Sequence, residues 1–138
     1  MPALVALLAK VPGLRVVLDH LGKPPVSGDA DGWERDLCDL AALPRVSVKL
    51  SGVAPEASPR GGTIRRQALP WLAVALDAFG AERCMVGSDW PVSAVSVGRE
   101  APGRWLAHVL DDVGASVSER DDLAWRTAAA FYQAGISA

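Results

Sequence analysis

Three short apolar runs constrain this chain more than any other feature. They are LRVVLDHL at 14–21, VSVKLSG at 46–52 and CMVG at 84–87. Breaker residues follow each run: Gly22, Lys23, Pro24 and Pro25 the first, Gly52 the second, and Pro91 closely after the third. Between the runs lie segments of helical period. At 31–43, Trp33, Leu37, Leu40 and Leu43 recur at three to four residues, with Asp31 offered as N-cap and Pro44 as the stop. At 68–79, Leu69, Leu72, Leu76 and Phe79 form one face, and Gly80 is a C-terminal stop. A short helix at 3–8 precedes the first run, ended by Val11, Pro12 and Gly13. Helices at 104–113 and 118–132 follow the third, with Ser118 as a cap for the last. Strand alternating with helix is the βαβ pattern of a parallel sheet, so the fold class is α/β. Runs apolar on consecutive positions predict strands covered on both faces.

Composition narrows the class further. With 138 residues, 50% of them hydrophobic and 22% charged, the chain can bury one core and is not a disordered segment. A net charge of -2 without a long basic run gives no electrostatic case for nucleic acid. Five tryptophans are many for this length and predict core or pocket-wall positions. Cys38 and Cys84 lie in apolar stretches with no disulfide spacing and read as reduced and buried. The opening MPALVALLAK lacks a basic start and a small-residue cleavage site, so it reads as helix rather than a signal sequence. No run is long enough to span a bilayer. The expectation is a soluble, cytoplasmic domain without a membrane partner.

In parallel sheets the chemistry collects at the carboxyl ends of strands. His20, Lys49 with Ser51, and Asp89 all stand there, one group from each run. Each also has a structural reading. Asp89 could cap a following turn, although Pro91 intervenes and no helical pattern begins before about Arg104. His20 could be a core histidine with a satisfied hydrogen bond, and Asp19 either orients it or points to the opposite face. Lys49 either points into the polar mouth of a site or snorkels to its rim, since a buried ammonium needs a partner. Arg60, Arg65 and Arg66 could bind an anion or simply solvate their loop. His108 reads as a solvated helix residue. No Gly-rich phosphate loop, GxSxG elbow or CxxC pair occurs. His20 and Asp89 could both ligate a divalent metal, yet two protein ligands make an incomplete site.

The segments VVLDHLGKPP, WERDLCDLAALPRVSVKLSGV and FGAERCMVGSDWPV, in that order, resemble the second half of an amidohydrolase-related (amidohydrolase 2) protein. The nearest branch is that of sugar-lactone and dicarboxylate-lactone hydrolases. The resemblance runs from about Leu4 to Val92, with a weaker tail to Tyr132. It implies the C-terminal half of a TIM (β/α)8 barrel over 1–138, entered near the fifth strand. On this resemblance His20 matches the histidine at the end of the fifth strand. Asp89 matches the aspartate that activates the hydrolytic water. Lys49, Ser51 and Gly52 match the KLSG stretch bordering the site, and Trp90 and Pro91 match the DWP turn.

The implied reaction is water attack on a lactone or ester carbonyl of a small polar or carboxylated substrate. Asp89 and His20 would be catalytic, with Lys49, Ser51, Trp90 and Arg60 contacting substrate. In relatives that keep one divalent metal, Zn or Mn, the His20 and Asp89 positions are ligands, and some lactonases of this branch use none. The chain departs from the pattern in two ways. It has no HxH pair, and Thr127-Ala128 stands where relatives often carry Asn-Ala. A whole barrel takes about 250 residues. The alternative is therefore a catalytically incomplete half that needs a partner half or self-association. A small α/β binding module is a third reading, and it predicts a folded monomer.

Overall fold

In the computed structural model, the structure describes residues 1–26, 30–53, 63–93 and 102–134. Three parallel strands form one sheet in the order β1 (Val16–Leu18), β2 (Val46–Leu50), β3 (Cys84–Val86). The register pairs Leu18 with Val48 and Val48 with Cys84, so these side chains share a face. The helices are α1 (Pro2–Lys10), α2 (Asp31–Ala41), α3 (Ile64–Phe79), α4 (Pro102–Asp112), α5 (Val117–Asp121) and α6 (Thr127–Tyr132). This alternation of parallel strand and helix is the architecture of part of a (β/α)8 barrel.

The core lies between the sheet and the helices. Val46, Val48 and Leu50 of β2 meet Leu37 and Leu40 of α2 and Ala68, Leu72, Ala75 and Phe79 of α3. The buried stripe of α3 thus differs from the expected one: Ala68, Leu72, Ala75 and Phe79 lie inward at helical spacing, and Leu69, one position round from Ala68, is exposed. Thr63 caps it, accepting from Arg66 N at 3.3 Å, and Gly80 ends it at φ 73° as expected. Arg83 ties two helix ends together, donating to Phe79 O at 3.0 Å and to Ala41 O at 2.8 Å.

The other face of the sheet is covered unevenly, with Met85 of β3 buried there and the β2 row less so. Ser47 and Lys49 alternate with the buried residues of β2 and stay half-buried. Arg15 and Lys49 reach toward α6 there, over the rings of Phe131 and Tyr132. The expectation of two fully covered faces is corrected accordingly.

Other corrections are local. Asp31 is the first residue of α2 and Ala30 its N-cap, without a side-chain cap. The segment expected as one helix from Ser118 begins at Val117 and is interrupted by a π-turn over Asp122–Arg126. Its cap is Ser116, in a reciprocal box with Glu119, because Glu119 stands at the third helical position from Ser116. Both cysteines are free, as expected, but Cys38 is exposed on the outer side of α2. Burial pushes the Cys84 thiol up to about 12. Among the described residues no helix is long and apolar enough to cross a membrane.

Candidate functional site at the strand ends

β1 is shorter than its apolar run because the chain turns sharply at Asp19–Gly22. His20 and Leu21 sit in the left-handed region at φ 53° and 56°, a costly conformation for residues with side chains. Burial holds it. Leu21 is fully buried, and Trp33 on α2 donates to Leu21 O at 2.7 Å. Trp105 on α4 does the same for Leu50 O, at 3.1 Å, where β2 ends. Two of the five tryptophans thus fasten the strand ends, Trp71 packs edge-on against Trp33, and Trp90 is 64% exposed.

His20 and Asp89 come together. His20 Nε2 lies 3.6 Å from Asp89 Oδ1, too far for a hydrogen bond. Asp89 also sits in the left-handed region, at φ 53°. Its side chain is 11% exposed, and Oδ2 is buried with no hydrogen-bond partner. A helical turn does begin just after it, contrary to expectation: Ser93 N donates to Asp89 O at 2.9 Å. The backbone of Asp89 starts that turn, while its carboxylate points at His20.

The sequence left open which residue orients His20. Asp19 does not; it pairs with Lys49, Nζ to Oδ1 at 3.1 Å. Burial lowers the Lys49 ammonium's pKa, but hydrogen bonds and charge attraction from Asp19 and Tyr132 outweigh it, so the net shift is upward. Ser51 contacts His20 instead: its Oγ lies 2.9 Å from Nδ1, and Ser51 is 1% exposed. Gly52 lies against the same imidazole. At its φ of 67° a Cβ would stand 2.5 Å from His20 Cβ. Trp90 flanks Asp89 at the surface, and its backbone N–H donates to Ser88 Oγ at 3.3 Å. Arg60 lies outside the described residues; Arg65 forms an ion pair with Asp112 on α4. His108 is half-buried on α4.

The His20 and Asp89 donors fit a metal as part of its shell. Two ligands of one zinc, bonded at about 2.0–2.2 Å, stand about 3.4 Å apart at a tetrahedral angle. The observed separation is 3.6 Å, and the partnerless Oδ2 leaves lone pairs to spare. Among the described residues no group of three His, Cys, Asp or Glu gathers, so further ligands have to come from elsewhere.

The family model described as amidohydrolase matches residues 1–134. The chain belongs to this amidohydrolase family. It is 43% identical over 108 residues to an L-fucono-1,5-lactonase of Burkholderia ambifaria, covering 78% of this chain and 37% of that relative. It is 38% identical over 145 residues to the L-fucono-1,5-lactonase of Burkholderia multivorans, covering 96% of this chain and 47% of the relative. A crystal structure of a Burkholderia multivorans amidohydrolase with bound zinc superposes with a TM-score of 0.83 at 37% identity, covering 96% of this chain and 48% of that one. The chain spans about half the length of these relatives or less.

Proposed function

We propose that this amidohydrolase chain supplies the water-activating end of a lactonase site, with Asp89 as general base and His20 as the group that faces the carbonyl. One observation carries this reading: a carboxylate with a buried, partnerless oxygen faces a histidine at the ends of parallel strands. The relatives named L-fucono-1,5-lactonase favour a small sugar-derived lactone as substrate.

The Asp89 carboxylate accepts a proton from water as the water oxygen bonds to the lactone carbonyl carbon. The ring C–O bond then breaks, and the proton passes from Asp89 to the departing alkoxide, leaving a hydroxy acid. His20 Nε2 stands beside the carboxylate, placed to stabilise charge on the carbonyl oxygen. If zinc is bound, His20 and Asp89 hold it, and it adds Lewis-acid polarisation of that carbonyl. Lys49, held at the rim by Asp19, and the exposed Trp90 orient a polar or carboxylated substrate, with Arg60 as a further cation. The free thiols, Cys38 among them exposed, suit the cytoplasm.

The donor count favours a second reading for the chain by itself. With two donors among the described residues, this reading completes the site with residues from another polypeptide segment, in a longer chain, a partner half or a second copy. Hydrolysis of L-fucono-1,5-lactone, followed as acid release with and without zinc, tests both readings. Turnover by the chain that falls about 10²–10⁴-fold in Asp89→Asn supports the base assignment. Turnover untouched by that substitution sinks it, and turnover only when a polypeptide carrying the complementary half is added selects the second reading.

A further inference from the structure

We propose that Ser51 is the positioning residue for His20, its hydroxyl seating the imidazole on Nδ1 so that Nε2 faces Asp89. The inference rests on His20 and Asp89 being the working pair, and it moves Ser51 from contact with substrate to support of the ring.

Four observations converge on it. Ser51 is 1% exposed, so its hydroxyl finds no bulk water, and it meets His20 Nδ1 at 2.9 Å. The serine follows directly on β2, whose last residue is held through Leu50 O by the Trp105 N–H, so the hydroxyl stands on a fixed element. Gly52 then gives the ring its bed, since a Cβ there would strike His20 Cβ, Cγ and Nδ1 at 2.5–2.6 Å. Gly87, at the end of β3, leaves the space that Ser51 fills: a Cβ on it would lie 3.3 Å from Ser51 Cβ.

His20 also needs an external hold. Its left-handed backbone directs the ring away from the strand, and its neighbour Asp19 is engaged by Lys49. The hydroxyl is both donor and acceptor, so it serves either neutral form of the ring. With Nε2–H directed at the Asp89 carboxylate, Ser51 donates to Nδ1. With Nε2 unprotonated, as a ligand or acceptor, Nδ1–H donates to Ser51. In both cases Ser51 decides which ring nitrogen meets Asp89, and orienting partners of this kind are part of how a site histidine works.

The chain has two histidines, so its imidazole nitrogens can be read directly by nitrogen-15 NMR, with His108→Gln identifying the His20 signals. Ser51→Ala should move the His20 Nδ1 resonance and leave the fold unchanged by its amide spectrum. Ser51→Thr, which keeps the hydroxyl, should restore it. A space-filling role predicts the reverse pattern, an unmoved Nδ1 in the alanine variant or equal shifts in both, and either result overturns the proposal. Because these signals report the ring rather than turnover, they stand whether or not the chain hydrolyses lactones. In an active preparation Ser51→Ala should lower kcat about 10- to 100-fold with KM held, and the threonine variant should recover it.

Discussion

Asp89 keeps one carboxylate oxygen buried without a donor, which costs folding free energy that a structural residue would not sustain. Removing the charge should therefore stabilise the fold while removing the proposed base. Asp89→Asn is expected to gain about 1–2 kcal/mol, seen as a higher urea midpoint with unchanged slope. A lower midpoint would show that the carboxylate has a stabilising partner. Gly52 makes the opposite case. Gly52→Ala puts a side chain at φ 67° and into the His20 ring, so it should cost about 1–3 kcal/mol or more in the same measurement. His20 and Asp89 were legible as polar groups at strand ends. The contact between Ser51 and His20 was not, because period-two alternation places side chains on faces but does not say which loops approach one another.

At the scale of elements, the strand ends are secured by buried tryptophan N–H groups. Trp33→Phe keeps most of the packing and removes the donor to Leu21 O, which is then left unpaired among apolar side chains. The expected loss is about 1–3 kcal/mol in thermal or urea unfolding. The helix over Val117–Asp121 depends on its capping box, so Ser116→Ala should cost about 1 kcal/mol. The Ser116 hydroxyl and backbone N–H hold the Glu119 carboxyl below its usual range. A depressed pKa contributes stability above the unfolded-state value and loses it as pH falls through the folded-state value. The gap between wild type and Ser116→Ala should hence narrow in acid, which unfolding curves at pH 7 and pH 3 will show. Ser118 was the expected cap, yet Ser116 has Glu119 three residues on, so the capping-box spacing was already present in the sequence.

For the whole molecule, one sheet with two edge strands and one unevenly covered face defines what the chain can do alone. Cys84 offers a direct report on that core. Its thiol is buried and held protonated, while Cys38 is exposed. In the folded chain iodoacetamide at pH 8 should label Cys38 and spare Cys84, with both labelled in urea. Equal labelling without denaturant would mean that the core described here does not persist in solution.

Residue order alone determined the alternation of strand and helix, the parallel sheet, the family and the pair His20 and Asp89, because each rests on local periodicity or on short motifs. The tertiary structure decided how those residues are held: the left-handed turns at both, the Ser51 and Gly52 seat, the pairing of Lys49 with Asp19, and the partnerless oxygen of Asp89. These depend on the approach of segments far apart in the chain. That approach follows from burying Leu21, Leu50 and Cys84 together against the helices, a condition on the whole core that no single stretch of sequence contains.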